Sequence, residues 1–264
     1  TWIIREIESP KGYVLSEEEI AVTIGKVDEV VEIELVNYFI KGNIALTKVD
    51  EDYPDNKLSG AVFEVYSDTN GDGKLDKDDT LLGEMKELDG GVYQMSELRY
   101  GKYLVKETKA PTGFVLDENV YSVSVEENGK TYTVENKAGV GFINAAQKGS
   151  LKIVKTSSDG KVEGFSFRVT GVDYDQTFKT DKNGEIVIEG LRIGDYTVSE
   201  VSDKASAGYI LPADKQATVK VNATAIVQMH NEFRDTPKTG DDFNLGLWVS
   251  LAALSVVGAG VLGS

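Results

Sequence analysis

Lys48 stands two residues after Leu46 and four after Ile44 in the strand-like run from Asn43 to Asp50. Side chains alternate along a strand, so this lysine shares a face with two residues that belong in a core. Leu151, Ile153 and Lys155 repeat the arrangement about a hundred residues later. A glutamate ends a second apolar face in each place: Tyr103, Val105 and Glu107, then Tyr196, Val198 and Glu200. An asparagine ends a third: Val140, Phe142 and Asn144, then Val227, Met229 and Asn231. Buried Lys, Glu and Asn are costly as ordinary core residues. Recurring in the same order, they point to a self-made amide cross-link between lysine and asparagine. The competing reading has the lysines snorkelling from strand ends and the glutamates exposed.

An amine attacks a carboxamide only when neutral, and lysine is normally protonated at neutral pH. Burial disfavours its charge and lowers its pKa. The same burial raises the glutamate, so that a neutral carboxyl can hydrogen-bond and polarise the amide carbonyl. Lys48 is then the nucleophile, Asn144 the electrophile and Glu107 the proton relay. Lys155, Asn231 and Glu200 repeat these roles. Ammonia leaves and an isopeptide bond remains, with no cofactor. The reaction happens once per domain, so the chain is its own substrate and not a turnover enzyme.

These reactants need strands to hold them, and composition supplies strands. Val, Ile, Thr, Tyr and Gly are abundant, Asn-Gly and Asp-Gly turns recur, and the part before the C-terminus shows no helical apolar stripe, so it reads as all-β. The 264 residues carry a net charge of −16, from 44 acidic and 28 basic residues, which argues against nucleic acid as a partner. There is no cysteine. Exported β-domains often use disulfides, and covalent amide links would replace them.

The chain is organised by repeats. Trp2 to Tyr13 aligns with Tyr103 to Phe114, matching Glu6 with Glu107, Pro10 with Pro111 and Gly12 with Gly113. A looser third copy begins at Tyr196. Glutamate and asparagine are 31 residues apart in Glu6–Asn37 and in Glu200–Asn231, but 37 apart in Glu107–Asn144, with the extra length expected between Glu126 and Gly139. The lysine matching Glu6 and Asn37 would lie upstream of Thr1, so the chain reads as a fragment. The expected domains are a partial copy at 1–41, complete copies at 42–147 and 148–234, and a C-terminal segment at 235–264.

The motifs Lys48-Val49-Asp50, Glu107 to Phe114 and Asn144 resemble the Cna B-type, or SpaA-type, pilin and adhesin domains of Gram-positive surface proteins. The third copy matches at Lys155, Glu200 and Asn231 but lacks the Asp and Pro elements. The resemblance covers nearly all of residues 1–233. It implies tandem immunoglobulin-like β-sandwich domains with first and last strands adjacent.

Asp68, Asn70, Asp72, Lys74, Asp76 and Asp79 occupy positions one, three, five, seven, nine and twelve of an EF-hand-like loop, with Gly73 at six. Oxygen donors at that spacing suit calcium, Lys74 giving only its carbonyl. Asp79 in place of the usual glutamate implies modest affinity. Lysine and glutamate are 59 residues apart in the middle copy and 45 in the third, a difference close to one such loop. The alternative is a solvated acidic turn.

Near the C-terminus, Thr236-Pro237-Lys238-Thr239-Gly240 precedes an uncharged stretch from Phe243 to Ser264. Pro-x-Thr-Gly before an apolar segment resembles a sortase sorting signal, followed by a membrane-spanning sorting helix. It implies cleavage between Thr239 and Gly240 and transfer of the threonine carbonyl to a peptidoglycan-precursor or pilin amine. The membrane would be a partner only before sorting. Thr236 stands where that signal usually has leucine; an ordinary membrane anchor is the alternative.

The expected function is a cell-wall-anchored surface protein or pilin whose domains form a rigid stalk at a Gram-positive cell surface. Two alternatives remain: an adhesin holding a host matrix protein or polysaccharide, and the stalk of a surface enzyme whose catalytic domain lies upstream. His230, the only histidine, is out of phase with Asn231 and should face solvent. Tyr53-Pro54-Asp55-Asn56-Lys57 only faintly echoes a pilin acceptor motif.

Overall fold

The computed structural model describes residues 1–234, which contain strands, turns and no helix. Accordingly, among the described residues no helix is long and apolar enough to cross a membrane. Thr236 to Gly240 and the apolar stretch that follows lie outside the described residues. The chain forms two compact units, the first of residues 1–150 with 189–194 and 218–224, the second of 151–188, 195–217 and the described chain from 225.

In the first unit the alternating run Lys41–Asp50 forms a ten-residue strand with Ile44, Leu46 and Lys48 buried on one face. It pairs antiparallel with Val92–Arg99 and parallel with both Thr131–Thr133 and Phe142–Asn144. A second sheet runs in the order Thr80–Glu84, Val62–Ser67, Gly101–Lys109, Val120–Val125. Ile44 and Leu46 from one sheet meet Phe63, Val65 and Val105 from the other in a single apolar cluster. The alternation that marks half-buried strands thus sets the core between two layers.

The middle copy's extra length has a definite place. Thr133 is in register with Ala45 and Phe142 with Lys48, so nine residues on one strand answer three on its partner. The six residues in excess equal the difference between the 37- and 31-residue spacings. They interrupt the last strand between Thr133 and Phe142, overlapping the expected Glu126–Gly139 region and running two residues past it.

Residues 1–41 form a small antiparallel pair, Trp2–Arg5 with Glu19–Val22, and a stacked Tyr13–Phe39 contact with centroids 4.6 Å apart. Glu6 falls just beyond the first strand, and Asn37 lies in irregular backbone instead of on a last strand. No described strand runs alongside residues 30–36, so their alternating apolar residues find no ladder; Val30 and Val36 are exposed.

The second unit repeats the plan with fewer interruptions. Lys148–Ser157 lies between Glu185–Arg192 and the unbroken ten-residue strand Thr224–Phe233. The other sheet runs Tyr174–Lys179, Ser166–Gly171, Gly194–Val201, Lys215–Val219. Leu151, Ile153, Phe165, Phe167, Val198 and Met229 are wholly buried.

Candidate cross-linking sites

Parallel pairing of the first and last strands brings the middle copy's candidate residues together. Lys48 is opposite Phe142 and Asn144 opposite Asp50, so Lys48 and Asn144 are diagonal neighbours on one face. Glu107 enters from the facing sheet, opposite Phe63 on Val62–Ser67. Exposures of Lys48, Glu107 and Asn144 are 0%, 0% and 3%. The lysine Nζ is 3.7 Å from Glu107 Oε1 and donates to the Phe142 carbonyl at 3.1 Å. It also lies 4.9 Å from the centre of the Phe142 ring. Asn144 donates its amide nitrogen to both Glu107 oxygens, each at 2.9 Å, and its buried Oδ1 has no hydrogen-bond partner.

The carboxyl therefore meets the amide from its nitrogen side, not from the carbonyl oxygen that the sequence reading assigned to it. A proton held there would stand beside the amide nitrogen that leaves in the expected reaction. Burial lowers the Lys48 pKa to about 8, against the opposing pull of Glu107. Burial also raises Glu107, although hydrogen bonds from Asp117 and Asn144 and the Lys48 charge work the other way.

Gly91 completes the lysine's setting. Its carbonyl accepts the Lys48 N–H at 2.7 Å, its φ is +81°, and a Cβ there would sit 2.8 Å from Leu58 backbone atoms and 3.1 Å from the Lys48 carbonyl. Gly184 does the same for Lys155, at 2.8 Å and φ +76°. Glycine 43 residues after one lysine and 29 after the other is a signal the sequence contained and the repeat alignment missed.

In the second unit Lys155 and Asn231 are buried and Glu200 is half-buried. Asn231 donates to Glu200 Oε1 at 2.7 Å. Lys155 donates to the Thr156 carbonyl at 2.5 Å and lies 4.2 Å from the Phe165 ring centre. Burial lowers Lys155 and raises Glu200. Glu200 Oε2 and Asn231 Oδ1 are buried without partners. The Glu107 counterpart of that oxygen accepts the Asp117 N–H at 2.8 Å. In the first copy Glu6 accepts the Ser16 N–H and the Asn37 amide, both at 2.7 Å. The glutamate–asparagine contact thus forms in all three copies, while the backbone donor ten residues after the glutamate is kept only in the two that carry the Pro-x-Gly box.

Residues 68–79 link two strands that a two-residue turn links in the second unit. Asp68 is buried and accepts the N–H groups of Gly71 at 2.7 Å and Gly73 at 3.1 Å. Asn70 caps the Asp72 N–H, Asp72 that of Lys74, and Asp79 those of Thr69 and Asp76. Among the described residues no three Asp, Glu, His or Cys side chains converge on a cation position. The carboxylates organise the loop's own backbone. His230 is half-exposed, between Thr156 Oγ1 at 2.8 Å and Glu232 at 3.1 Å.

Two all-β units, each with a buried lysine and asparagine on paired strands and a glutamate reaching them from the facing sheet, define a class of internally paired tandem β-domain. The SpaA family, described as a prealbumin-like fold domain, matches residues 42–138 and 149–233, and the chain belongs to it. The two matches are tandem prealbumin-like domains, in keeping with the SpaA-type motifs at Lys48, Glu107 and Asn144. No curated protein matches. Among solved structures the chain is similar to the Bacillus anthracis TIE protein, at 26% identity and TM-score 0.66, covering 88% of this chain and 41% of that one. The chain thus spans well under half of that relative. It is also similar to GBS52, the minor pilin of Streptococcus agalactiae, at 18% identity and TM-score 0.34, covering 75% of this chain and 98% of that one. For the shaft pilin spaA of Lactobacillus rhamnosus GG the values are 14%, 0.33, 74% and 98%.

Proposed function

We propose that the chain is part of a Gram-positive surface stalk or pilin whose domains lock themselves with Lys–Asn isopeptide bonds. The observation that carries this reading is the buried Glu107, in reach of both the Lys48 amine and the Asn144 amide. With its pKa near 8, roughly a tenth of Lys48 is neutral at pH 7. Its lone pair attacks Asn144 Cγ, the C–Nδ2 bond breaks, and Glu107 carries the proton from Nζ to the departing nitrogen. One amine and one primary amide become one secondary amide and one ammonia. Lys155, Glu200 and Asn231 would react likewise, more slowly, because Lys155 is turned toward Thr156 and Glu200 lacks its second partner.

The bond would tie strands at the two ends of a domain, so that tension passes through covalent links. Sortase would join Thr239 to a wall or pilin amine. Calcium at Asp68, Asn70, Asp72, Lys74, Asp76 and Asp79 is a separate proposal resting on the loop's sequence spacing. Intact-mass spectrometry tests the cross-link: each bond removes one ammonia, about 17 Da. Two bonds give about 34 Da, and a mass equal to that of the sequence sinks the reading.

A further inference from the structure

The middle copy carries a defect that the second unit does not. Its asparagine strand is broken by the six-residue insertion, leaving Asn144 on a strand of three residues, Phe142–Asn144. So short a strand needs other support to hold an electrophile in place.

That support comes from Asn136, inside the insertion. Its Nδ2 donates to the Ile143 carbonyl at 2.9 Å and its Oδ1 accepts the Ile143 N–H at 2.6 Å. The side-chain amide thus takes the place of a neighbouring strand at the residue between Phe142 and Asn144. Asn136 is itself fixed by Asp117, whose Oδ2 accepts the same Nδ2 at 2.8 Å. Asp117 also accepts the Tyr121 hydroxyl at 2.6 Å, and the Tyr121 ring packs edge-on against Phe142 at 5.1 Å. Phe142 in turn supplies the carbonyl that receives the Lys48 amine. The Asp117 backbone N–H donates to Glu107. Asp117 therefore reaches Glu107 directly, Lys48 through Tyr121 and Phe142, and Asn144 through Asn136 and the adjacent Ile143.

Resting on the cross-link reading above, we propose that Asp117, acting through Asn136, Tyr121 and its own amide, is the positioning residue of the Lys48–Asn144 reaction and offsets the strand insertion. It touches neither reacting atom. Its carboxylate is kept charged by the donors from Tyr121, Asn136 and Asn119 in spite of burial, and that charge favours the protonated form of Lys48. A scaffold alone would set the rate equally at every pH; a charged scaffold also sets where the rate rises.

The test follows cross-link formation after a pulse of cell-free synthesis, as the appearance of the Lys48–Asn144 peptide pair on proteolysis, from pH 6 to 9. Asp117→Asn should slow the reaction by about tenfold or more and move its rising limb to lower pH. Asn136→Ala should slow it without moving the limb. If the parent chain reacts, Glu107→Ala does not, and Asp117→Asn matches the parent in rate and profile, the positioning role is overturned while the cross-link stands. A parent chain that never forms the pair overturns both. Should Asp117→Asn fail to fold by circular dichroism, Tyr121→Phe keeps the ring on Phe142 and removes one donor; slowing there supports the role, and a parental rate refutes it.

Discussion

Asn144 gives its amide nitrogen to both oxygens of Glu107, and no hydrogen bond reaches its carbonyl oxygen. In an ordinary core an unpartnered buried carbonyl is a cost of about 1–3 kcal/mol. In the proposed reaction that oxygen would take on negative charge as the amine adds, and no donor among the described residues stands ready for it. Asn231 shows the same orphaned oxygen beside Glu200. The feature is thus shared by the two copies that also hold a buried lysine.

Removing the relay should separate chemistry from packing. Glu107→Ala is expected to abolish the mass deficit of the middle copy, and Lys48→Met to do the same. Both variants forgo a link closing 96 residues, from Lys48 to Asn144, worth roughly 4–5 kcal/mol by the loop-entropy estimate for disulfides. Glu107→Ala should be the less stable of the two in urea, because it strands a buried ammonium where methionine would pack. A full deficit in Glu107→Ala would remove the glutamate from the mechanism.

The 68–79 loop makes a second, independent prediction. Asp68 holds the N–H groups of Gly71 and Gly73, so Asp68→Ala should destabilise the first unit by about 1–3 kcal/mol even with chelator present. Calcium, if bound with the weak affinity of extracellular sites, should add about 1–3 kcal/mol at 10 mM to the parent and nothing to Asp68→Ala. Thermal unfolding with and without calcium reads both effects. A parent unmoved by 10 mM calcium retires the metal while leaving the turn's own role intact.

The candidate residues were legible because they violate a pattern: a lysine in phase with Ile44 and Leu46 is visible from alternation alone, and the structure buries it. The spacing difference of six residues was equally plain, and it proves to be an insertion in the last strand. What alternation could not show is support from outside the strands. Asp117 and Asn136 sit in loops, where no period marks them, and their pairing depends on how the insertion folds back. Gly91 and Gly184 were hidden for another reason: their task is set by a backbone approach to the lysine. Asn37 lies in irregular backbone although its neighbours alternate, because no described strand runs beside them.

The lowered pKa of Lys48 has a thermodynamic counterpart in a chain that cannot react. In Asn144→Ala the amine stays buried, with a folded-state pKa expected near that of the parent, about 8, against about 10.4 in the unfolded chain. Between those values the unfolded state binds the extra proton, so stability must rise with pH across that window. Below about pH 8 both states are protonated, and the full penalty of a buried ammonium applies. Glu107 acts elsewhere: its raised pKa makes stability fall as pH climbs from the usual carboxylate range to its folded value. Tyr121, pushed up to about 12, lowers stability only above about pH 10. Taking the difference from the double variant Lys48→Met with Asn144→Ala cancels contributions that do not depend on the amine. That difference should shrink by roughly 3 kcal/mol between pH 8 and 10.5 in urea titrations. A flat difference would mean that the amine is solvated and charged, and the nucleophile proposed for the middle copy would be lost.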